Sequence, residues 1–357
     1  MFIYICLFLL ASILYFYNPT KRTPLPFIFL VFMILVAGLR DMIGGYDIYI
    51  YSQLFEIEEI KYAKEAFESG FVAYYQFLRR FSTDRAFMIF ISSLILLSFY
   101  FYFFKKYSVW LHFSLFIFFC KFFLMSFVYI RQGMAMVLCI IALHFLFKKK
   151  IIVALGIVLV SIFFHKSAAI FLPFVFISNI KFSYIQIFLL GLVITGIGIS
   201  PLGSVLIGEI GNSIQNEKII NYVKNSSGVN VFYVIEGILI LILALNYRSI
   251  FYSSGSKNIT IYNGILFYGF IILFSVTNGT FVRLSWYYFI FICLGIPIMI
   301  INSNKMRMYF RNIVFVYYTA LFFRLLVLYD GGDFMPYKSI FQDFERNGRW
   351  EHYEYRI

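Results

Sequence analysis

From Met1 to Tyr17 the chain reads MFIYICLFLLASILYFY, without one charged side chain, and comparable apolar runs recur as far as residue 329. Inside a bilayer no water reaches the peptide N–H and C=O groups, so a run that crosses must satisfy them internally, as a helix. About 20 such residues reach across roughly 30 Å of hydrocarbon. Only 13% of the residues are charged and 62% are hydrophobic, where a water-soluble domain carries about 25% charge. The chain therefore reads as an all-α polytopic membrane protein, a single integral-membrane domain over residues 1–357. Twelve spans are expected, at 2–17, 25–39, 86–104, 111–128, 131–147, 151–164, 167–180, 184–200, 231–247, 260–277, 285–301 and 312–329. The second, sixth and seventh are short enough to be tilted, broken or re-entrant. The first has no basic leader and no small-residue cleavage site, and reads as a retained span rather than a signal peptide.

Charge sorts the connections between these spans. In one alternate set, Lys21, Arg22, Lys105, Lys106, Lys148 to Lys150, Lys181, Arg248, Lys257, Lys305, Arg307 and Arg311 make thirteen basic residues with no acid. The other set holds three long segments, 40–85, 201–230 and 330–357. With Arg131, Lys166 and Arg283 it carries fifteen basic against sixteen acidic residues. The positive-inside rule assigns the first set to the cytoplasm. Topology thus explains most of the net charge of +13, and no nucleic-acid partner is implied. Both termini and all long segments are expected outside, on the periplasmic face of a bacterial inner membrane, with that membrane's lipids as surroundings.

Segment 40–85 opens RDMIGGYDIYIYSQLF. Gly44 and Gly45 mark a turn, and Asp47, Tyr51 and Leu54/Phe55 follow at helical spacing. Two or three amphipathic helices are expected, lying against the membrane or the bundle. Segment 201–230 reads as a lid-like loop with one amphipathic helix, and 330–357 as an aromatic, charged tail. The tail's Asp330-Gly-Gly-Asp333 offers too few ligands for a metal. Cys6, Cys120, Cys139 and Cys293 all sit in apolar runs without a Cys or His at ligand spacing, and read as small hydrophobes. P-loop, GxGxxG, HExxH and GxSxG patterns are absent, and no cofactor is implied.

Arg40, Arg131 with Gln132, His165 with Lys166, Arg283 and the tail all fall at outward-facing span ends. Each alone reads equally as a snorkelling helix end. Together they suggest one cationic site. Arginine's rigid fork matches phosphate oxygens two at a time and stays charged. His165 can take a proton near neutral pH, as a general base on a hydroxyl must, or it can merely cap a helix start. Asp47 is either a solvated loop acid or a site acid beside Arg40. Tyr51, Tyr287 and Tyr337 could stack on sugars, or belong to the aromatic belt of any membrane interface. His112 and His144 read as ordinary span-end histidines.

The order GLRDMIGGYDIYIY, YIRQGMAMVLCIIAL, FFHKSAAIFLPFVFI, VRLSWYYF and MPYKSI resembles the EpsG family, grouped with the Wzy polymerases of O-antigen and exopolysaccharide assembly. The match runs through Arg40, Gly44 or Gly45, Asp47 and Tyr51, then Arg131, Gln132 and Ala135. It continues through His165, Lys166 and Ser167, then Arg283, Tyr287 and Tyr288, and ends at Pro336 and Tyr337. One departure is Gly-Gly-Tyr-Asp where the family pattern carries a single Gly directly before the Asp. The resemblance implies a membrane glycosyltransferase that uses undecaprenyl-pyrophosphate-linked oligosaccharide repeat units. The growing glycan moves from its lipid carrier to the non-reducing end of a new unit, without a metal. Arg40, Arg131, Gln132, Lys166, Arg283, Tyr51, Tyr287 and Tyr337 would bind substrate, and His165 or Asp47 would act as base. A chain-length regulator and a flippase are candidate partners.

Two other classes stay open. A membrane acyltransferase or an O-antigen ligase would also use Arg and His, though the acyltransferase places them at a cytoplasmic entry. A flippase or transporter for the same lipid-linked sugar would use ionisable groups near mid-span. Lys121, Glu236 and Arg324 are such groups, and the polymerase reading gives them no role.

Overall fold

The computed structural model describes residues 1–17, 23–57, 60–200, 203, 228–279, 281–303, 306–328 and 330–344. Most of the expected lid-like loop at 201–230, and the tail beyond 344, lie outside these residues. In chain order the helices are α1 (Phe2–Phe16), α2 (Leu25–Gly38), α3 (Gly45–Glu56), α4 (Ile60–Ala66), α5 (Ser69–Arg79), α6 (Arg85–Tyr107), α7 (Leu111–Phe118), α8 (Met125–Val128), α9 (Ile130–Phe147), α10 (Ile151–Ile162), α11 (Leu172–Ile177), α12 (Tyr184–Ile199), α13 (Val231–Ser253), α14 (Ser256–Phe274), α15 (Val282–Ile301) and α16 (Arg307–Leu328). A π-helical turn, Phe119–Phe123, joins α7 to α8, and a 3-10 turn, Lys166–Phe171, leads into α11. Among the described residues there is no strand, only an isolated antiparallel bridge between Arg40 and Ser339.

The fold is all-helical and the chain is a membrane protein, but the expected count of twelve crossings is not supported by helix length. Six helices, α6, α9, α13, α14, α15 and α16, are long and apolar enough to cross a bilayer. Another six apolar stretches, Phe2–Phe16, Leu25–Gly38, Leu111–Phe123, Ile151–Ile162, Lys166–Ile177 and Tyr184–Ile199, run only 10–17 residues. The sequence signal is hydropathy, which does not register where a helix stops. Polar punctuation shortens these runs: Pro24 at the start of α2, the His165-Lys166 step before the 3-10 turn, and Ser183 before α12. There Ser183 and Gln186 form a reciprocal capping box, which satisfies amide groups left over at a helix start.

The chain divides into two compact units. The first comprises residues 1–141, 157–166 and 300–357, and the second 142–156 and 167–299.

In the first unit, α3, α4 and α5 build a small aromatic core of their own. Tyr51, Phe55, Phe67, Phe71 and Tyr75 are buried together and pack on Met88 and Ile89 of α6 and on Ile130 and Met134 of α9. The apolar faces expected in segment 40–85 thus lie on the bundle. Each fully buried ring contributes about 1.5–3 kcal/mol, which suffices to fix short helices that would be marginal alone. Tyr75 donates to the Tyr51 carbonyl at 2.9 Å. The Gly70 amide donates to the Phe163 carbonyl at 2.8 Å. A Cβ at residue 70 would lie 2.7 Å from that oxygen, so glycine alone permits the approach. Asp84 starts α6 by accepting from the Ala86 amide at 2.7 Å.

In the second unit, Gly255, at φ 94°, turns α13 into α14. Buried Asn263 of α14 donates to the carbonyls of Ile177, Ser178 and Ile180 at 3.1, 2.9 and 2.8 Å. A polar residue in an apolar helix is thereby spent on carbonyl groups around the end of α11, where helical partners run out, and the Ile177 carbonyl also accepts from the Ile180 amide at 3.1 Å. Glu236 of α13 accepts from the Tyr268 hydroxyl at 2.7 Å.

Candidate functional site

Two groups of the expected site residues gather in the first unit, and they differ in kind. The first surrounds Arg40. This side chain is completely buried. Its Nε donates to the Ile43 carbonyl at 2.9 Å, and Nη2 to the Phe127 carbonyl at 2.9 Å. Its Nη1 donates to the Ala37 carbonyl and, at 3.1 Å, to the Ser93 hydroxyl. All three guanidinium nitrogens are engaged. Burial pulls the group down to about 9, so it stays charged at neutral pH.

Segment 330–340 closes over the same loop. Asp330 accepts from the amides of Gly332, Phe334 and Met335 at 3.0, 2.7 and 3.1 Å, which makes Asp-Gly-Gly-Asp a turn. The Asp41 amide donates to the Lys338 carbonyl at 2.9 Å, and the Ile340 amide to the Leu39 carbonyl at 3.0 Å. Gly44 donates to the Asp333 carbonyl at 3.0 Å. Gly44 has φ 134°, and a Cβ there would stand 2.6 Å from the Phe127 carbonyl oxygen. Gly45 has φ 67°. Both glycines of the departure from the family pattern are therefore required by the backbone. The Tyr337 hydroxyl donates to the Val36 carbonyl at 3.0 Å. Its residue helps line a mostly apolar cavity of ≈ 570 Å³ with Phe2, Phe32, Leu35 and Gln342.

Arg40 and Tyr337, both expected to bind substrate, are engaged with backbone carbonyls in this structure, and the Tyr337 ring still lines the cavity. A guanidinium without exposed surface, bonded at every nitrogen, holds the fold. The Tyr337 hydroxyl is likewise committed to backbone. A single sequence could not separate these from open site residues, because an arginine at a span end looks the same whether it turns inward or outward.

The second group surrounds Arg131 in the first turn of α9. Its Nη1 donates to Glu68 Oε2 at 2.8 Å, and Nε faces the Tyr51 hydroxyl at 3.4 Å. Its guanidinium carbon lies 4.7 Å from the Phe67 ring centroid and 5.7 Å from that of Tyr51. Its Nη2 carries no bond among the described residues. The side chain is 21% exposed. The other Glu68 oxygen accepts from the Lys166 backbone amide at 3.3 Å. The Lys166 side chain is exposed, and its ammonium group makes no bond among the described residues. The charges of Asp47 and Glu68 both act on Arg131, and that of His165 acts on Glu68. Asp47 and Tyr51 lie one helical turn apart on α3 and so share a face. Both Asp47 and His165 are half-buried, and Gln132 is buried.

Burial pushes the Glu68 carboxyl up, but Arg131, backbone amides and His165 together outweigh it and hold the group below its ordinary value. Burial pushes the Tyr51 hydroxyl up to about 12 against the pull of Arg131, so it remains a neutral hydrogen-bonding group. The cluster offers a positioned, partly exposed guanidinium edge and an imidazole, and the exposed Lys166 side chain branches from the backbone that meets Glu68. That set can hold phosphate oxygens and take a proton from a hydroxyl.

Glu68 is the member that sequence reasoning missed. It sits in KYAKEAFESGF among several solvent-facing charges, and nothing in its local pattern sets it apart. Only the fold shows that it joins the start of α5 to α9 and to the turn after α10.

Arg283, Tyr287 and Tyr288 lie in the second unit, on the first turns of α15. Arg283 is half-buried. The Tyr287 hydroxyl and the Ser167 hydroxyl are 2.9 Å apart, and Tyr288 donates to the Ile170 carbonyl at 2.7 Å. These two tyrosines thus brace the 3-10 turn, and Ser167 directly follows Lys166 in the chain.

A family model described as the EpsG family matches residues 23–339, nearly the whole chain. No curated protein and no solved structure gives a match.

Proposed function

The chain belongs to the EpsG family, a family of Wzy-like polymerases, and on that premise we propose that it polymerises an O-antigen or exopolysaccharide outside the bacterial inner membrane. The donor is the growing glycan on undecaprenyl pyrophosphate, and the acceptor is the non-reducing end of a lipid-linked repeat unit. The acceptor hydroxyl attacks the anomeric carbon of the donor. The bond from that carbon to the pyrophosphate oxygen breaks, and undecaprenyl pyrophosphate leaves. His165 takes the hydroxyl proton, with Asp47 the rival base. The open edge of Arg131 and the Lys166 ammonium bind the departing diphosphate, whose charge grows in the transition state. Gln132 in the first unit, and Arg283 in the second, keep the substrate-binding roles that family membership suggests, and Tyr287 bonds Ser167 within the second unit.

The observation that carries this reading is Arg131, braced by Glu68 and Tyr51 while Nη2 makes no bond among the described residues, with the Lys166 backbone amide on the other oxygen of the same Glu68. Bracing removes the entropy cost of ordering a long side chain. A preset donor edge is worth more in the transition state than a flexible one.

The test uses purified protein in liposomes with one defined undecaprenyl-pyrophosphate-linked repeat, products being read by mass. Wild type should give a ladder of repeats with release of undecaprenyl pyrophosphate. Arg131→Ala and His165→Ala should remain folded and leave single repeats. New glycosidic bonds from either variant at the wild-type rate would refute the roles. Movement of the repeat across the bilayer without bond formation would refute polymerisation.

A further inference from the structure

Where α1 ends and α16 begins, the first unit holds another cationic cluster that the polymerase reading does not use. The Arg307 guanidinium carbon lies 5.4 Å from the Trp110 ring centroid, and that of Arg311 lies 5.4 Å from the Phe16 ring. Trp110 packs on Phe113 at 4.8 Å, and Phe113 on Tyr15 at 4.0 Å. Tyr15 in turn donates to the Arg311 carbonyl at 2.5 Å. His112 stands 5.9 Å from the Tyr17 ring. Arg307, Arg311 and Trp110 therefore share one aromatic floor, since Tyr15 also meets Phe16 at 5.1 Å, and His112 lies against Tyr17.

Donors and charge here lack a counterpart. Trp110 Nε1, His112 Nε2 and Arg311 Nε are buried without a hydrogen-bond partner. Trp110 and His112 are each more than nine-tenths buried. Among the described residues, both guanidinium groups lie over rings and make no hydrogen bond or ion pair. The start of α7 has no side-chain cap bond, so His112 does not serve as a cap there. The first turn of α16 contains no acid. Arg307 and Arg311, four residues apart and so on one face, stand at the end of a helix whose dipole is already positive. Loop segments 18–24, 105–110 and 302–311 contain no acid either. Every term in this region calls for an anion.

The rim identifies which kind. Phe16, Met306, Met308, Tyr309 and Ile313 are all exposed. An anion arriving here meets a hydrophobic border, which suits a phosphate attached to acyl chains better than one free in solution. We propose that this cluster binds the phosphate of an anionic phospholipid headgroup, with Arg307 and Arg311 taking its oxygens. The site is independent of the sugar chemistry assigned to Arg131.

The experiment measures lipid binding by native mass spectrometry and thermal unfolding of the full chain in detergent. Phosphatidylglycerol, cardiolipin, phosphatidylcholine and inorganic phosphate are added separately. The two anionic lipids should remain bound and raise the melting temperature, whereas phosphatidylcholine should do so weakly. Arg307→Gln/Arg311→Gln should lose about tenfold or more in affinity for phosphatidylglycerol, the loss expected of two charge-assisted contacts. Should that double variant fail to fold, exposed Arg307→Gln alone and Arg311→Gln alone should each show a smaller loss. Equal binding of phosphatidylcholine, or undiminished affinity in all these variants, overturns the proposal. So does inorganic phosphate reproducing the whole stabilisation, which would make the site one for a free anion.

Discussion

Arg40 and Arg131 both stand at helix ends in the first unit, and both carry motifs of the same family, yet their surroundings assign them opposite work. Arg40 is sealed, and its fork is consumed by carbonyls of Ala37, Ile43 and Phe127. Arg131 leans on one carboxylate and one phenol and keeps a nitrogen open. A charge is worth burying only when every donor is satisfied. A charge meant for a ligand must be held still without being satisfied. Counting donors, rather than counting arginines, therefore separates the clasp from the candidate site.

The largest effect that can break this contrast is on folding. Arg40→Ala strips partners from several buried carbonyls and should cost about 3–5 kcal/mol, seen as loss of folded protein on gel filtration. Arg40→Lys should not rescue it, since an ammonium lacks the planar fork. A folded, stable Arg40→Ala protein would dissolve the distinction.

Next comes activity. Arg131→Gln should fold, while polymer formation falls by about 10²–10³, the usual cost of a lost charge-stabilising donor. His165→Ala should behave likewise, and His165→Ala with Asp47→Asn tells which group is the base.

A smaller effect concerns pH. Glu68 titrates below the ordinary carboxyl range in the folded protein. Its contribution is therefore present above the unfolded value of about 4.3 and fades as pH falls through the folded one. In thermal unfolding from pH 6 to pH 3, wild type should lose more stability than Glu68→Gln. Parallel curves would mean the brace is not electrostatic.

Smallest of all, Tyr337→Phe should cost about 1 kcal/mol, one buried hydrogen bond, and leave turnover unchanged. A selective fall in kcat would return Tyr337 to the site.

Much of the helical map was legible in the sequence. The twelve apolar runs coincide with helical stretches, because backbone groups in an apolar setting leave no alternative. In segment 40–85 the first helix was legible from the spacing of Asp47, Tyr51 and Leu54/Phe55, and the three helices found fall within the two or three expected. What stayed hidden needed three-dimensional neighbours. Six stretches form shorter helices of 10–17 residues, so the count of twelve crossings does not follow, since hydropathy marks composition and not helix ends. Arg40 was indistinguishable from Arg131, because whether a guanidinium is satisfied depends on carbonyls up to 87 residues away. Glu68 was one acid among many, and His112 looked like a plain span-end histidine.

The most direct measurement is the binding of undecaprenyl pyrophosphate, followed by native mass spectrometry, to wild type, Arg131→Gln and Tyr337→Phe in their folded states. Affinity should fall at least about tenfold in Arg131→Gln alone, one charge-assisted contact's worth, and stay level in Tyr337→Phe. Unaltered binding by folded Arg131→Gln would contradict the assignment of that guanidinium edge to the diphosphate.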